Sequence, residues 1–397
     1  MIEIKNKQDC CGCTACAMIC PKQCIIMKKD EEGFYYPNVE IEKCVNCDLC
    51  NRVCPITNEK CSEKESEPAT YAMLCKDREV RRESSSGGIF SLLAKEVIRQ
   101  GGVVLGVAMS DDYKSAKHIA VDSMNELYKL RGSKYIQSDV GNAFAVAEGC
   151  LKTGKTVLFT GTPCQIEGLK SFLRTDYENL FCMDIVCHGV PSEVVWREYI
   201  KYREGKAQSS VSGVSFRHKE FGWKSYSMLV EFENKKRYLD IFTSDLYARL
   251  FLQNLSLRPA CYACSFKKIN RVSDITVADF WGVENVVPEM DDDMGVSLVM
   301  VHSKKGQEIL SKVCNETNKV QVEFNLIKKY NSAVIHSAKY NEKRGMFFKD
   351  LGNVSFDKLV KKYTVKDTSL KTELVNFLRK THLYEGLRDA YRKFKSR

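Results

Sequence analysis

Two short stretches carry the densest chemistry in this chain. "CCGCTACAMICP" places Cys10, Cys13, Cys16 and Cys20 at spacings of three, three and four, followed by Pro21. "CVNCDLCNRVCP" repeats the arrangement with Cys44, Cys47, Cys50, Cys54 and Pro55. This is the bacterial ferredoxin spacing for two [4Fe–4S] clusters. Three thiolates from a tight loop reach three irons of one cube, and the fourth cysteine points to the other cube. The spacing therefore assigns Cys10, Cys13, Cys16 and Cys54 to one cluster and Cys44, Cys47, Cys50 and Cys20 to the second. Zinc is the rival, but its sites use four ligands, commonly as two pairs, and do not call for a double run ending in Cys-Pro. Cys11 and Cys24 fall outside the pattern and read as small buried fillers. "GFYYPNVEIEKC" between the runs reads as a strand pair covering one cluster.

A second group of cysteines is scattered. Cys164 follows Thr162-Pro163, where Thr162 is a natural N-cap and Pro163 a natural first helical residue. Free N–H groups in such a first turn favour a thiolate. Cys187 lies in "DIVCHGVPS", at a strand end in a glycine turn, and Cys261 and Cys264 form a C-x2-C in "LRPACYACSF". Four such ligands suit a third cluster or a structural zinc if the fold brings the loops together; they can equally be unrelated. Cys182, mid-strand in "LFCMD", reads as core. His188 reads as a loop histidine, since no acid/base partner is identifiable. "EMDDDMG" lacks EF-hand spacing and reads as an exposed acidic loop. "ESSSGGIF" leads serine and glycine into a helix, which fits either a phosphate cradle or a plain capped helix start.

The elements that must position these residues follow from pattern. "VVLGVAM" (Val103–Met109), "TVLFT" (Thr156–Thr160) and "LFCMDIV" (Leu180–Val186) read as strands; Ile89–Gln100, Val140–Lys152 and the segment after Thr162 read as helices. Such alternation indicates α/β layers. "SYSMLVEFENKKRYLDIF" reads as a hairpin turning near Asn234-Lys235, so the second half has antiparallel character. The fold expected is α+β or α/β and multidomain: a ferredoxin-like N-terminal domain (1–60), a linker (61–69), a mixed α/β body in two parts (70–150 and 151–335) and a helical tail (336–397).

Bulk properties bound the function. With 397 residues, several domains are expected. No run reaches the length of a membrane-spanning helix, and the N-terminus lacks a signal-peptide pattern, so the cytoplasm is the expected compartment. Nineteen cysteines there, ten of them between Cys10 and Cys54, point to clusters rather than disulfides. Of the net charge of +10, the segment Lys339–Arg397 carries +9, with 16 Lys/Arg against 7 Asp/Glu. The near-neutral body argues against nucleic-acid binding. The tail has an apolar face (Leu370, Leu374, Phe377, Leu378, Leu383, Leu387, Tyr391, Phe394) and a basic one. Packing on the body is the first reading, and docking on an acidic partner or a membrane surface the second.

Taken together, "SSSGGIF", "LRGSKYIQSD", "FTGTPCQIEGL", "CHGVPS", "CYACSF" and "SDITVADFWG" resemble the family of coenzyme F-420 hydrogenase/dehydrogenase beta subunits over about residues 70 to 330, with a ferredoxin pair fused in front. The resemblance implies a third [4Fe–4S] cluster on Cys164, Cys187, Cys261 and Cys264. It also implies FAD near Ser86, Gly87, Gly88, Arg131, Ser133, Lys134, Tyr135 and Asp279. It implies an iron–sulfur flavoprotein oxidoreductase exchanging electrons with ferredoxin or another redox protein and acting on a small substrate, with a link to polysaccharide synthesis. The alternative it implies is an electron-transfer subunit, without a substrate of its own, in a deazaflavin-linked hydrogenase/dehydrogenase-type complex.

Overall fold

The structure, a computed structural model, describes residues 1–58 and 67–365, and Leu378. The expected amphipathic tail, Leu378 apart, and most of the expected linker lie outside the described residues. The chain forms two compact units: Met1–Arg197 with Ser256–Tyr340, and Glu198–Leu255 with the described chain from Asn341 on.

The two cysteine runs build the same turn twice. Gly12 and Asn46 take positive φ (72° and 52°), as do Thr14 and Asp48 (67° and 62°). One-turn helices follow at matching positions, Ala15–Met18 and Leu49–Arg52. Left-handed residues in such turns aim successive N–H groups into one concavity, which suits an anion. Between the runs, β1 (Ile25–Lys29) pairs antiparallel with β2 (Tyr35–Val39), Ile25 opposite Val39. The expected strand pair therefore starts earlier than Gly33: "GFYYPNVEIEKC" supplies one strand and "IIMKK" the other.

The strands that follow are β3 (Ala69–Cys75), β4 (Val103–Met109), β5 (Ala116–Val121), β6 (Ser138–Asp139), β7 (Val157–Gly161) and β8 (Leu180–Ile185). The second unit supplies β9 (Val211–His218), β10 (Ser227–Phe232) and β11 (Arg237–Ile241), and the first resumes with β12 (Ile275–Asp279), β13 (Ser297–Val301) and β14 (Thr317–Gln321). Nine strands form one mixed sheet in the order β14-β3-β13-β12-β8-β7-β4-β5-β6. At its centre β4, β7, β8 and β12 run parallel.

Central parallel strands are covered on both faces, so they read as apolar runs with alternating destinations. Leu158 packs with Leu92, Leu93 and Val97 of the helix Ile89–Arg99 and with Ile309 and Leu310 of the helix Lys304–Lys312. Val157 and Phe159 face the other way, onto Phe144 and Leu151 of the helix Ala143–Lys152 and Ile166, Leu169 and Phe172 of the helix Pro163–Leu173. Cys13, Ala15 and Val53 of the N-terminal runs join this second core. In the second unit β9, β10 and β11 form an antiparallel sheet, and Lys235 in the β10–β11 turn has a φ of 65°. Among the described residues no helix is long and apolar enough to cross a membrane.

Candidate redox site

Sheet pairing gathers the scattered cysteines. Gly161 of β7 lies opposite Asp184 of β8, so Cys164 and Cys187 leave adjacent strands at equal offsets. The helix Pro163–Leu173 starts on a capping box: the Thr162 side chain accepts from the N–H of Gln165, and Gln165 Oε1 accepts from Thr162 N at 2.9 Å. Cys164 Sγ lies 3.1 Å from Thr162 Oγ1. The segment carrying Cys261 and Cys264 is stitched to the Cys187 loop. Arg258 N donates to Val190 O at 2.9 Å, and Val190 N donates to Cys261 Sγ at 3.4 Å. Together Cys164, Cys187, Cys261 and Cys264 line one cavity of about 150 Å³, joined by Cys11, His188, Arg258 and Lys267. It opens at the carboxyl ends of the parallel strands, where α/β sheets place ligands.

The electrostatics of this cavity favour a cationic core. Burial pushes the Cys187 thiol up to about 12 and raises Cys261 and Cys264, with mutual repulsion adding to each. The hydrogen bond to Cys11, followed by burial, raises Cys164. Lys267 and Arg271 pull Cys187 and Cys264 back down. Four such thiols stay protonated unless metal ions hold them as thiolates, so the donor set fits an iron–sulfur cube. Lys267 is fixed there by the carbonyls of Cys187 and Ala333.

Among the N-terminal cysteines, Cys20, Cys24, Cys44, Cys47 and Cys50 line one small cavity with Met1, Val39 and Val45. Burial raises Cys10 and Cys16, and the neighbouring Cys54 charge adds to both, so these three cysteines lie close together; Cys13 packs against Gly168 of the body helix. Cys24 is buried with its Sγ 3.3 Å from that of Cys20. No group of three or more Cys, His, Asp or Glu side chains among the described residues closes on a single-ion position. Cys11, expected as a buried filler, is instead half-buried and lines the cavity of the four body cysteines.

The other candidate residues converge on a neighbouring edge of the sheet. Ser86 Oγ donates to Val296 O at 2.8 Å, and Gly87 N donates to Ser297 Oγ at 3.0 Å. Asp279 pairs with Ser297 across β12 and β13. Ser85 and Ser133 hydroxyls meet at 2.9 Å, and Arg131 pairs with Glu83. The Lys134 ammonium donates to Lys129 O and Arg131 O at 3.0 and 2.7 Å, and burial draws it down to about 7. A Cβ at Gly87 would come within 2.5 Å of Met73 O, so this glycine serves the close approach of its loop to β3 and β13. Gly88, with φ 88°, opens the helix. The loop "EMDDDMG" is only partly solvated: Glu289 and Asp292 are exposed, but Asp291 and Asp293 are buried, and Asp292 is held by a bidentate Arg81 at 2.7 and 2.5 Å. Arg81 also binds Gly295 O, which sets Val296 and Ser297 under the serine loop.

A buried network backs the Cys164 helix. His118 stacks on Phe159, its Nε2 lies 3.3 Å from Thr160 O and its Nδ1 3.4 Å from Ser138 Oγ. Ser138 Oγ accepts from Gln165 Nε2 at 2.9 Å. Burial draws His118 from 6.5 to about 4, so the folded protein holds it neutral. The unfolded chain binds that proton first as pH falls. This contribution to stability is complete above pH 6.5 and is lost as pH drops toward 4, by about 3 kcal/mol. His118→Gln should flatten that part of the profile in denaturant titrations; an unchanged slope between those pH values would assign the loss to other groups.

Sequence profiles of the coenzyme F420 hydrogenase/dehydrogenase beta subunit match residues 70–145 (N-terminal part) and 154–324 (C-terminal part). The chain belongs to this family of beta subunits. Its relatives include the coenzyme F420-dependent sulfite reductase of Methanocaldococcus jannaschii, 24% identical over 328 residues, covering 78% of this chain and 47% of the relative. One subunit of the F420H2 dehydrogenase of Methanosarcina mazei is 22% identical over 219 residues, covering 50% of this chain and 60% of the relative. The chain thus spans about half the length of these two. A ferredoxin of M. jannaschii is 42% identical over 52 residues, 13% of this chain and 66% of the ferredoxin. Among solved structures, a chain of the F420-reducing [NiFe] hydrogenase complex from Methanosarcina barkeri aligns with a TM-score of 0.47 at 17% identity, covering 69% of this chain and 91% of that one. For this family member, sequence reasoning missed Arg258, Lys267 and Arg271. Their signal was basic residues closely flanking the "CYAC" pair.

Proposed function

We propose that this chain is an iron–sulfur electron-transfer subunit of a larger redox complex of the F420-linked kind. The observation that carries the reading is the single cavity where Cys164, Cys187, Cys261 and Cys264 meet, walled in part by Gln8, Asp9 and Cys11 at the first cysteine run. Three [4Fe–4S] clusters, when bound, supply one-electron storage. Cys10, Cys13, Cys16 and Cys54 hold the first, Cys20, Cys44, Cys47 and Cys50 the second, and the four body cysteines the third. The chain's own part is to seat these sites against one sheet and to surround the third with Arg258, Lys267 and Arg271, whose charges offset that of four thiolates. The redox partner is a protein, with ferredoxin as one candidate. The M. mazei relative, named as a dehydrogenase subunit, favours this reading.

A second reading, in which the chain acts on a small substrate of its own through FAD, is favoured by the convergence of the Ser85–Gly88 loop, Ser133, Lys134 and Asp279 on one edge. FAD there couples one-electron carriers to two-electron chemistry. A polysaccharide substrate forms no part of either reading.

Full-length protein purified without oxygen should carry about twelve irons. Cys261→Ser should retain about eight, with the N-terminal clusters intact by electron paramagnetic resonance. Unchanged iron in that variant would remove Cys261 from the ligand set. Released FAD, together with steady turnover of a small substrate by the isolated chain, would favour the second reading over the first.

A further inference from the structure

Gly168 lies four positions beyond Cys164 in the helix Pro163–Leu173, on the same face and about 6 Å along its axis. Cys13, a ligand position of the first N-terminal site, packs on it. A Cβ at Gly168 would come within 2.8 Å of Cys13 Cβ, 3.1 Å of Cys13 Sγ and 3.4 Å of Phe144 Cε2. Non-bonded carbons prefer about 3.5–4.0 Å, so any side chain here drives Cys13 and the helix apart by roughly 1 Å. Phe144 is itself packed against Phe159 and Phe172, so the displacement falls on Cys13. A second, independent observation concerns which N-terminal site adjoins the body. The cavity of the four body cysteines is walled in part by Gln8, Asp9 and Cys11 at the first cysteine run. Every described residue lining the second N-terminal cavity lies between Met1 and Cys50, and Cys47 there is exposed. The first N-terminal site is thus the body site's neighbour, and the helix that carries Cys164 is the element they share.

We propose that Gly168 is a positioning residue for electron exchange: its missing side chain sets the spacing between the first N-terminal site and the body site. This rests on the reading that both sets of cysteines hold clusters. The step served is the passage of one electron, by which one site is oxidised and the other reduced. No bond is made or broken, and no proton moves with it. Tunnelling falls off exponentially with distance, so one added carbon between the sites slows the exchange while leaving each set of four ligands whole. Glycine inside a helix is otherwise a liability, because alanine is the better helix former. Gly168 is buried, at the point where the close approach of Cys13 leaves no space for a methyl group.

The test compares full-length, oxygen-free wild type, Gly168→Ala and Gly168→Val, with iron counted in each, alongside Gly149→Ala. Gly149 is also helical, with nothing within 4 Å of its Cβ position, so that variant reports a methyl group added to a helix and nothing more. Electron paramagnetic resonance of the fully reduced protein reads the magnetic coupling between sites, which falls as the cube of their separation. Freeze-quench spectra after mixing with a substoichiometric one-electron reductant read the rate of exchange. Gly168→Ala should keep the wild-type iron content, weaken the coupling to the body site and slow the exchange severalfold. Gly168→Val should do both more strongly, and Gly149→Ala should do neither. Unchanged coupling or an unchanged rate in Gly168→Ala with full iron would overturn the proposal, as would an equal effect of Gly149→Ala. Loss of about four irons in Gly168→Ala would make the glycine a requirement for building a site rather than for spacing two, and overturn it also. A wild-type protein without iron would instead sink the cluster reading itself.

Discussion

Arg258→Met is expected to cost on the order of 3 kcal/mol or more and to free the N-terminal segment from its seat. Arg258 is fully buried, and its guanidinium reaches three separate segments of the chain. Nε donates to Cys10 O at 2.7 Å, Nη2 to Tyr35 O at 2.9 Å and Nη1 to Gln137 Oε1 at 3.1 Å. Its flat face lies 4.4 Å from the Tyr36 ring centre. Gly12, at φ 72°, leaves room for it: a Cβ there would come within 2.8 Å of Nη1. Methionine fills much of the volume but strands three buried acceptors, each worth about 1–3 kcal/mol when unpaired. Lysine restores the charge but cannot span the fork, so Arg258→Lys should recover only part. Denaturant unfolding gives the loss, and limited proteolysis should cut the cysteine-rich N-terminal segment before the sheet. An unchanged midpoint with a protected N-terminus would refute the clasp.

Asp184→Ala should be nearly as damaging, by about 3–5 kcal/mol, because it leaves a buried guanidinium without its counter-charge. Asp184 and the Arg271 side chain are 1% and 2% exposed, paired at 3.1 Å. Thr276 Oγ1 donates to the same carboxylate at 2.5 Å and meets His302 Nε2 at 2.8 Å. Arg271 also donates to Ile185 O, at the root of the Cys187 loop it steadies. The double variant Asp184→Leu with Arg271→Met removes both charges and should regain much of the loss, which a double-mutant cycle with Asp184→Leu and Arg271→Met as its single variants measures. Full additivity of the two single changes would show that the pair is not coupled. Iron content adds a functional readout: Asp184→Ala should bind the third cluster less fully than the double variant does.

The N-terminal loops were legible because their geometry is local. Cysteine spacing, glycine and small residues within each run determine its turn, and the second run shows nearly the same φ values as the first. The helix after Thr162 was legible for the same reason: Thr162, Pro163 and Gln165 hold its start among themselves. The central strands were legible from apolar runs that only a doubly covered sheet tolerates. The strand before Gly33 escaped notice because "IIMKK" alternates weakly, with Ile26 exposed and its partner strand supplied from beyond the turn. The burial of Asp291 and Asp293 escaped because the acidic loop's sequence looks solvated; Arg81, far from it along the chain, anchors it through Asp292.

By itself, the amino-acid sequence determined two ferredoxin-like cysteine groups, an α/β body and membership of a redox family through ordered motifs. Only the tertiary structure decided that Cys164 and Cys187 leave neighbouring strands in step, that Arg258 ties the first cysteine run to the body, and that Cys11 lines the cavity of the body cysteines. Strand neighbours and buried counter-charges are chosen by the packing of residues distant along the chain. Spacing within a motif carries no record of that choice.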